Sequence, residues 1–202
     1  MLEDLQTIHW QDLHHAYGTA GDVPDLLKGL LSGDEDARKE SLYELCGTIW
    51  HQGTVREASA FAVPYLLEML RSPKTMDKAG IAVLVAELAD GSSPLELYTD
   101  PEDEMSRLVC AALADQGRNF ETELCKGQEW VRATRDAVGS GLDLLIPYLG
   151  HEESAVREAV ARALSRFPER AGDTVPFLEH ALQSETEAYV RETLKTALDE
   201  LT

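Results

Sequence analysis

The 202-residue sequence is short of aromatics, cysteine and positive charge, and each shortage excludes something. Phe, Trp and Tyr make up only 6% of it, and Ala and Leu dominate the apolar set, a mix that favours helices packed on helices. The 18 basic residues stand against 37 acidic ones, a net charge of −19. Binding nucleic acid or an anionic membrane surface needs clustered Lys and Arg to neutralise phosphate, so neither is expected as a partner. The deficit is uneven: residues 1–50 and 90–125 each carry −7, while 51–89 are neutral. Such a field keeps a protein soluble and steers basic partners towards it.

Cysteines are three, Cys46, Cys110 and Cys125, with no Cys-x-x-Cys pair. That pattern predicts free thiols in a reducing compartment. No apolar run reaches the roughly 18 residues needed to span a membrane, and the acidic N-terminal stretch MLEDLQTIHWQDL lacks the apolar core of a signal peptide. The expectation is a cytoplasmic protein. Strand signals are also scarce, since no stretch alternates apolar and polar residues with β-branched enrichment.

What the sequence does have is a repeat. Three segments share a local pattern: Val23-Pro24-Asp25-Leu26, Val63-Pro64-Tyr65-Leu66 and Val175-Pro176-Phe177-Leu178. Each has a further Leu six residues after the Pro (Leu30, Leu70, Leu182) and a Ser eight after it (Ser32, Ser72, Ser184). A fourth segment keeps the apolar frame as Leu142, Leu145 and Leu149, with Pro147 inside the aligned helix, where a kink is expected. A basic residue follows each anchor leucine: Arg38, Lys78 and Arg157 eight residues on, Arg191 nine on. Seven residues further stands an apolar one (Leu45, Val85, Leu164, Leu198). One unit therefore reads as a helix opened by Pro, a polar turn, and a second helix. The expected second helices are 35–50, 75–89, 153–167 and 186–201. Asp22 and Thr174 stand where helix N-caps belong. Asp34, Glu153 and Glu187 each precede a ladder arginine by four residues, which predicts ion pairs within each helix. One helix pair cannot bury its stripe alone, so the units must stack.

The Val-Pro-x-Leu…Leu pattern, followed by a turn and then by Val-Arg-Glu-Ala-Val-Ala-Arg-Ala-Leu at 156–164, resembles a HEAT repeat in its short bacterial form. Val190-Arg191-Glu192-Thr193-Leu194 is similar to a second copy. The resemblance covers about 22–90 and 141–201. It implies an all-α solenoid of about five stacked antiparallel helix pairs, forming one domain over 1–202. Residues 1–20 are expected to form an N-terminal capping helix, 22–90 repeats 1 and 2, and 141–202 the C-terminal repeats. Residues 91–140 break the period and read as an irregular central unit with an acidic insert. There Asp100-Pro101 is expected to open a helix that ends at Gly117, and a second helix runs from about Glu121 towards Val138. The resemblance also implies a non-enzymatic protein-binding scaffold. Other members of the family attach or detach bilin chromophores, and a few relatives act on nucleic acids.

Chemistry-bearing motifs are sparse. His-Glu-x-x-His, paired zinc spacings, phosphate-cradling Gly-rich loops and Gly-x-Ser-x-Gly are all absent. No catalytic residue, cofactor or metal is expected. A metal site from His14 and His51 would require the fold to join them. The acidic run Asp100, Glu102, Asp103 and Glu104 lacks the ligand periodicity of a calcium loop and suits a helix N-terminus.

One feature departs from a plain repeat. The linker Trp50-His51-Gln52-Gly53 carries an aromatic, an imidazole and an amide where small polar residues are usual. His14-His15-Ala16-Tyr17-Gly18 ends the N-terminal segment in a similar way, with Trp10 just upstream. Rigid aromatic and imidazole groups are common at binding hot spots. Trp10, His14, Tyr17, Trp50, His51 and Gln52 therefore form a candidate binding patch, with packing of the N-terminal segment onto the first repeat as the other use of the same residues. The acidity predicts a basic protein partner. A toxin-masking immunity protein and a bilin-lyase-like enzyme are the alternatives.

Overall fold

A computed structural model describes residues 2–202. The helices are α1 (Val23–Gly29), α2 (Glu35–Ile49), α3 (Glu57–Arg71), α4 (Lys78–Ala89), α5 (Glu104–Asp115), α6 (Phe120–Gly139), α7 (Ser154–Ser165), α8 (Ala171–Ser184) and α9 (Ala188–Leu201). Helix α1 packs on α2, α3 on α4, and α8 on α9. The partner of α7 is not an α-helix but the 3-10 turn Ile146–Gly150, which follows another at Leu142–Leu144. Pro147 lacks the N–H that a regular helix would use here, so the expected kink is a break. The second helices of successive pairs meet in a row, α2 on α4, α4 on α7 and α7 on α9. One continuous core runs through the stack, with Leu27, Leu45, Ile49, Leu66, Leu84, Val85, Val160, Leu164 and Leu194 almost wholly removed from solvent. This is the all-α stack the periodicity predicts.

The central unit is irregular in a specific way. Helix α6 lies against α3 and α4, while α5 touches mainly α6 and the turn Glu96–Tyr98. Because α7 packs directly on α4, the unit adds no helix to the row of second helices. The sequence of α5 shows why: it buries only Ser106 and Leu113 and leaves Met105 and Leu108 exposed, too narrow a stripe to hold a place between two layers. Gly127 lets α6 approach the insert closely, since a Cβ there would fall 2.2 Å from the Ser93 hydroxyl.

Several local expectations are corrected. The expected capping helix over 1–20 is not formed by residues 2–20. The described part consists of 3-10 turns at Glu3–Thr7 and Trp10–Asp12, then a hairpin of β1 (His14–His15) and β2 (Gly18–Thr19). Trp10 and Leu5 still enter the core, but a 3-10 turn rather than a helical stripe delivers them. A second hairpin, β3 (Trp50–His51) with β4 (Thr54–Val55), joins the first two repeats. Strands of two residues are too short to show alternation in sequence. Pro24 does open α1, but α3 and α8 begin upstream of Pro64 and Pro176. Burial of Ala58, Ala62 and Val63 carries α3 through the missing bond at Pro64. Asp103, not Asp100, caps α5 by accepting from the Ser106 N–H at 2.8 Å. Thr174 lies inside α8. Asp22 makes no cap bond and takes the His15 imidazole instead, at 2.9 Å.

The basic ladder is also rearranged. Its members do not pair with the acids four residues upstream. Each reaches back over the turn of its own unit to a carbonyl near the end of the preceding helix or turn. Arg38 donates to Ser32 O (2.9 Å), Lys78 to Leu70 O (2.8 Å), Arg157 to His151 O (2.7 Å) and Arg191 to Leu182 O (3.0 Å). Arg38 and Arg157 also reach an acid of the next unit, Asp77 and Glu185. The Arg157–Glu185 pair is bidentate, at 2.7 and 2.9 Å. Arg107 repeats the grip on Pro101 O and Glu102 O in the irregular unit, a member the spacing from an anchor leucine does not reveal.

Hydrogen bonding from Arg157 holds the Glu185 carboxyl far below its ordinary value of 4.5, at about 2, against the upward pull of burial. A depressed carboxylate stabilises the fold fully above about pH 4.5 and loses that contribution as pH falls towards 2. Replacing Glu185 with Gln is expected to cost about 1.5–3 kcal/mol at pH 7, the range for a hydrogen bond to a charged group. The gap from the parent should close between pH 4.5 and 2. Urea unfolding across that range checks it, and a gap that stays constant with pH removes the pair from the account of stability.

Candidate functional site

The two hairpins bring one end of the stack together. In the first, Ala16 and Tyr17 form the two-residue turn between His15 and Gly18. In the second, Gln52 (φ 50°) and Gly53 (φ 82°) both occupy the left-handed region, the requirement of a two-residue turn whose twist matches the strands. The Ala16 N–H donates to Thr48 O at 3.0 Å, tying the first hairpin to the end of α2. The loop after α4 joins them, with the Val55 N–H donating to Ser92 O and the Ser92 N–H to Gly53 O. The odd linkers of the sequence are thus turn structures whose tips carry Tyr17 and Gln52.

Between these tips and α2 opens a cleft of about 470 Å³. Tyr17, Tyr43, Glu44, Trp50, His51 and Gln52 are among its lining residues. The Tyr17 ring meets the His51 ring edge-on at 5.2 Å, and its hydroxyl lies 3.2 Å from His51 Nδ1. His51 Nδ1 is also 3.1 Å from Gly47 O, which can only accept. Nδ1 therefore carries the proton, and Nε2 of the neutral ring is left as an acceptor. His15, behind Tyr17, has the other tautomer. Its Nδ1 accepts from the Tyr17 N–H at 3.0 Å, so Nε2 donates to Asp22. The indole N–H of Trp50 is enclosed with no acceptor among the described residues, an unmet donor of the kind that costs about 1–3 kcal/mol.

Of the six residues proposed from sequence, the structure brings four into this cleft: Tyr17, Trp50, His51 and Gln52. Trp10 goes elsewhere. It is 4% exposed, donates to Leu5 O at 2.8 Å and packs on Tyr65. His14 stands at the start of α3, its Nδ1 3.6 Å from Glu57, and does not line the cleft. Tyr43 and Glu44 are the residues that the sequence reading missed. Tyr43 is 81% exposed. Tyr43 and Gly47 stand one turn apart on α2, a spacing shared by any helical face, so the sequence carries no signal that singles Tyr43 out.

The cleft offers contact more than reaction. Cys46 lines it, but burial, helped by the Glu87 charge, pushes its thiol up to about 11, so the thiolate is scarce near neutral pH. Among the described residues no three His, Cys, Asp or Glu side chains are placed to hold a metal ion, and no helix is long and apolar enough to cross a membrane.

The second helices also carry a network of charges apart from the cleft. Glu87 and Asp90 of α4 and its end meet Arg162 at 2.5 and 3.1 Å. Arg166 bridges Asp90 and Glu200. Glu158 and Glu192 flank a groove of about 220 Å³ between α7 and α9. Burial holds the Glu87 carboxyl above its ordinary value despite Arg162.

Stacked helix pairs with one aromatic cleft and an acidic face define a helical-repeat scaffold. The sequence pattern of HEAT repeats matches residues 92–199, and the chain belongs to that family. The match includes the irregular unit, consistent with the Arg107 grip found there. Among solved structures, a designed armadillo repeat protein is similar at 16% identity, covering 89% of this chain and 100% of its own, with a TM-score of 0.29. No curated protein matches the sequence.

The split between packing and contact residues is measurable. Trp10→Ala removes a buried ring and is expected to cost about 3–5 kcal/mol. Tyr43→Ala trims an exposed one and should stay within about 0.5 kcal/mol of the parent. Thermal melts of both variants check this, and a large loss at Tyr43 would make the ring a packing element.

Proposed function

We propose that this protein is a non-enzymatic scaffold that binds a basic protein, seating an arginine side chain of that partner in the cleft of Tyr17, Tyr43, Trp50 and His51. The observation that carries the reading is the exposed Tyr43 ring, which lines one cleft together with Trp50 and the Glu44 side chain. A guanidinium stacks on aromatic faces and pairs with a carboxylate at once. The charge network on the second helices supports a basic partner too, since Glu87, Asp90, Glu158, Glu192 and Glu200 outnumber Arg162 and Arg166 there. The net charge of −19 steers such a partner to the surface before contact is made. Membership of a repeat family supports a protein partner in general.

The test is a titration with a short arginine-rich peptide and its citrulline counterpart, which keeps shape but loses charge. The arginine peptide is expected to bind, to weaken as salt rises, and to bind about 10-fold more tightly than the citrulline form, roughly 1.4 kcal/mol. Tyr43→Ala and Glu44→Gln should each lower its affinity by several-fold without moving the melting temperature. Equal binding of both peptides, or indifference to Tyr43→Ala, sinks the reading.

A further inference from the structure

Arg56 is out of place in this chain. It lies at the start of α3, half-buried, in a protein with twice as many acids as bases. Among the described residues, the other Lys and Arg side chains that are buried or half-buried have a partner: Arg38, Lys78, Arg157, Arg162, Arg166, Arg170 and Arg191 grip carbonyls or carboxylates, and Arg135 lies over the Phe167 ring at 5.4 Å. Arg56 has no hydrogen bond or ion pair from its side chain to any described residue, and its Nε is enclosed. Desolvation with no compensating carboxylate pulls its guanidinium below the ordinary value. An unpaired, partly desolvated cation is a cost to the fold that nothing inside the molecule offsets.

It lines a cavity of about 340 Å³ together with Pro94, Leu95 and Tyr98 of the insert, Leu113 of α5, and Trp130 of α6, none of which lines the aromatic cleft. Arg118 and Glu123 complete the wall. The Glu123 carboxylate is already held by Arg118 at 2.6 Å and Lys126 at 2.8 Å, which depresses its pKa. The lining thus keeps one uncompensated positive charge, on Arg56, among apolar and aromatic surfaces. The volume is at the small end of ligand sites.

We infer that this cavity binds a small organic monocarboxylate with an aromatic or apolar body, its carboxylate on Arg56 and its body between Tyr98 and Trp130. The planar guanidinium matches a carboxylate bidentately. A single negative charge suits one free cation inside a strongly acidic protein better than a phosphate dianion does. The insert that breaks the repeat period supplies most of the walls, which gives the irregular unit a use the regular stack does not provide. The site is independent of the arginine-binding cleft.

The experiment titrates the full chain with 3-phenylpropionate, 3-phenylpropanol and 3-phenylpropylamine, reading the Trp130 indole resonance by NMR and heat by calorimetry. The carboxylate is expected to shift the Trp130 signal saturably and to bind at least about 10-fold more tightly than the alcohol, while the amine does not bind. Arg56→Met should lose at least about 10-fold in carboxylate affinity while its melting temperature stays level or rises, because a desolvated charge is gone. Tyr43→Ala should leave carboxylate binding unchanged. The proposal is overturned if the alcohol binds as tightly as the carboxylate, if no saturable Trp130 shift appears up to about 10 mM, or if Arg56→Met binds like the parent. The comparison of the three ligands on the parent chain holds even if the variant fails to fold.

Discussion

Each regular unit of this protein turns on a cation that closes the gap between its two elements. A helix ends with carbonyl groups that have no partner inside the helix, and the turn into the next helix must satisfy some of them. Arg38, Lys78, Arg157 and Arg191 do so from the second helix, each reaching back over the turn to a carbonyl of the first element. The contact joins electrostatics to geometry. The cation neutralises the negative end of one helix and sets how the second folds back on it. Arg38 and Arg157 then reach onward to Asp77 and Glu185 of the following unit, so the same side chain that closes one layer sets the position of the next. With the pairs fixed, the apolar stripes face inward and the core follows.

The clamp also explains how a chain of such uneven charge folds at all. Several acids are used rather than merely tolerated. Asp34 and Asp103 cap helices, Glu185 and Asp77 lock layers, and Glu87, Asp90 and Glu200 share the guanidiniums of Arg162 and Arg166. Acids left over on the second helices, such as Glu158 and Glu192 beside the α7–α9 groove, have fewer basic side chains within reach.

The stack and its repeat length are legible in the sequence because helical periodicity and the leucine-to-cation spacing are local patterns that recur. The ion-pair partners are not. Asp34 to Arg38 has the spacing of a helical pair, yet Arg38 turns to Ser32 O and Asp77, because Asp34 is occupied by the N–H groups of Asp36 and Ala37. Spacing along one helix carries no information about a layer 39 residues away. The N-terminal segment fails for a related reason. Leu2, Leu5, Ile8 and Leu13 have helical spacing, but the chain takes 3-10 turns so that Trp10 can reach Leu5 O and Tyr65. The candidate patch is half legible. Tyr17, Trp50, His51 and Gln52 stand out as odd linker residues, and the hairpins that aim them are two-residue strands below the reach of pattern. Tyr43 sits in an ordinary helical frame, and only its exposure distinguishes it.

Arg56 illustrates a signal that no sequence pattern carries. It follows Val55 at the end of the second hairpin, where a basic residue looks like any surface cation. Its environment is made by segments about 40 to 70 residues away: the 94–98 turn, Leu113 and Trp130. The insertion that interrupts the repeat period therefore does two things. It displaces α5 from the row of second helices, so that α7 packs on α4 and the core stays continuous. It also folds back over the start of α3, where it walls in a cation beside a carboxylate, Glu123, that Arg118 and Lys126 already hold. A regular repeat built from the clamp has no such position, because its cations reach carbonyls by construction. The aromatic cleft and the Arg56 cavity both arise where the chain departs from the repeat, one at the hairpin linkers and one at the insert. The regular units hold these two departures at fixed places on a single rigid core.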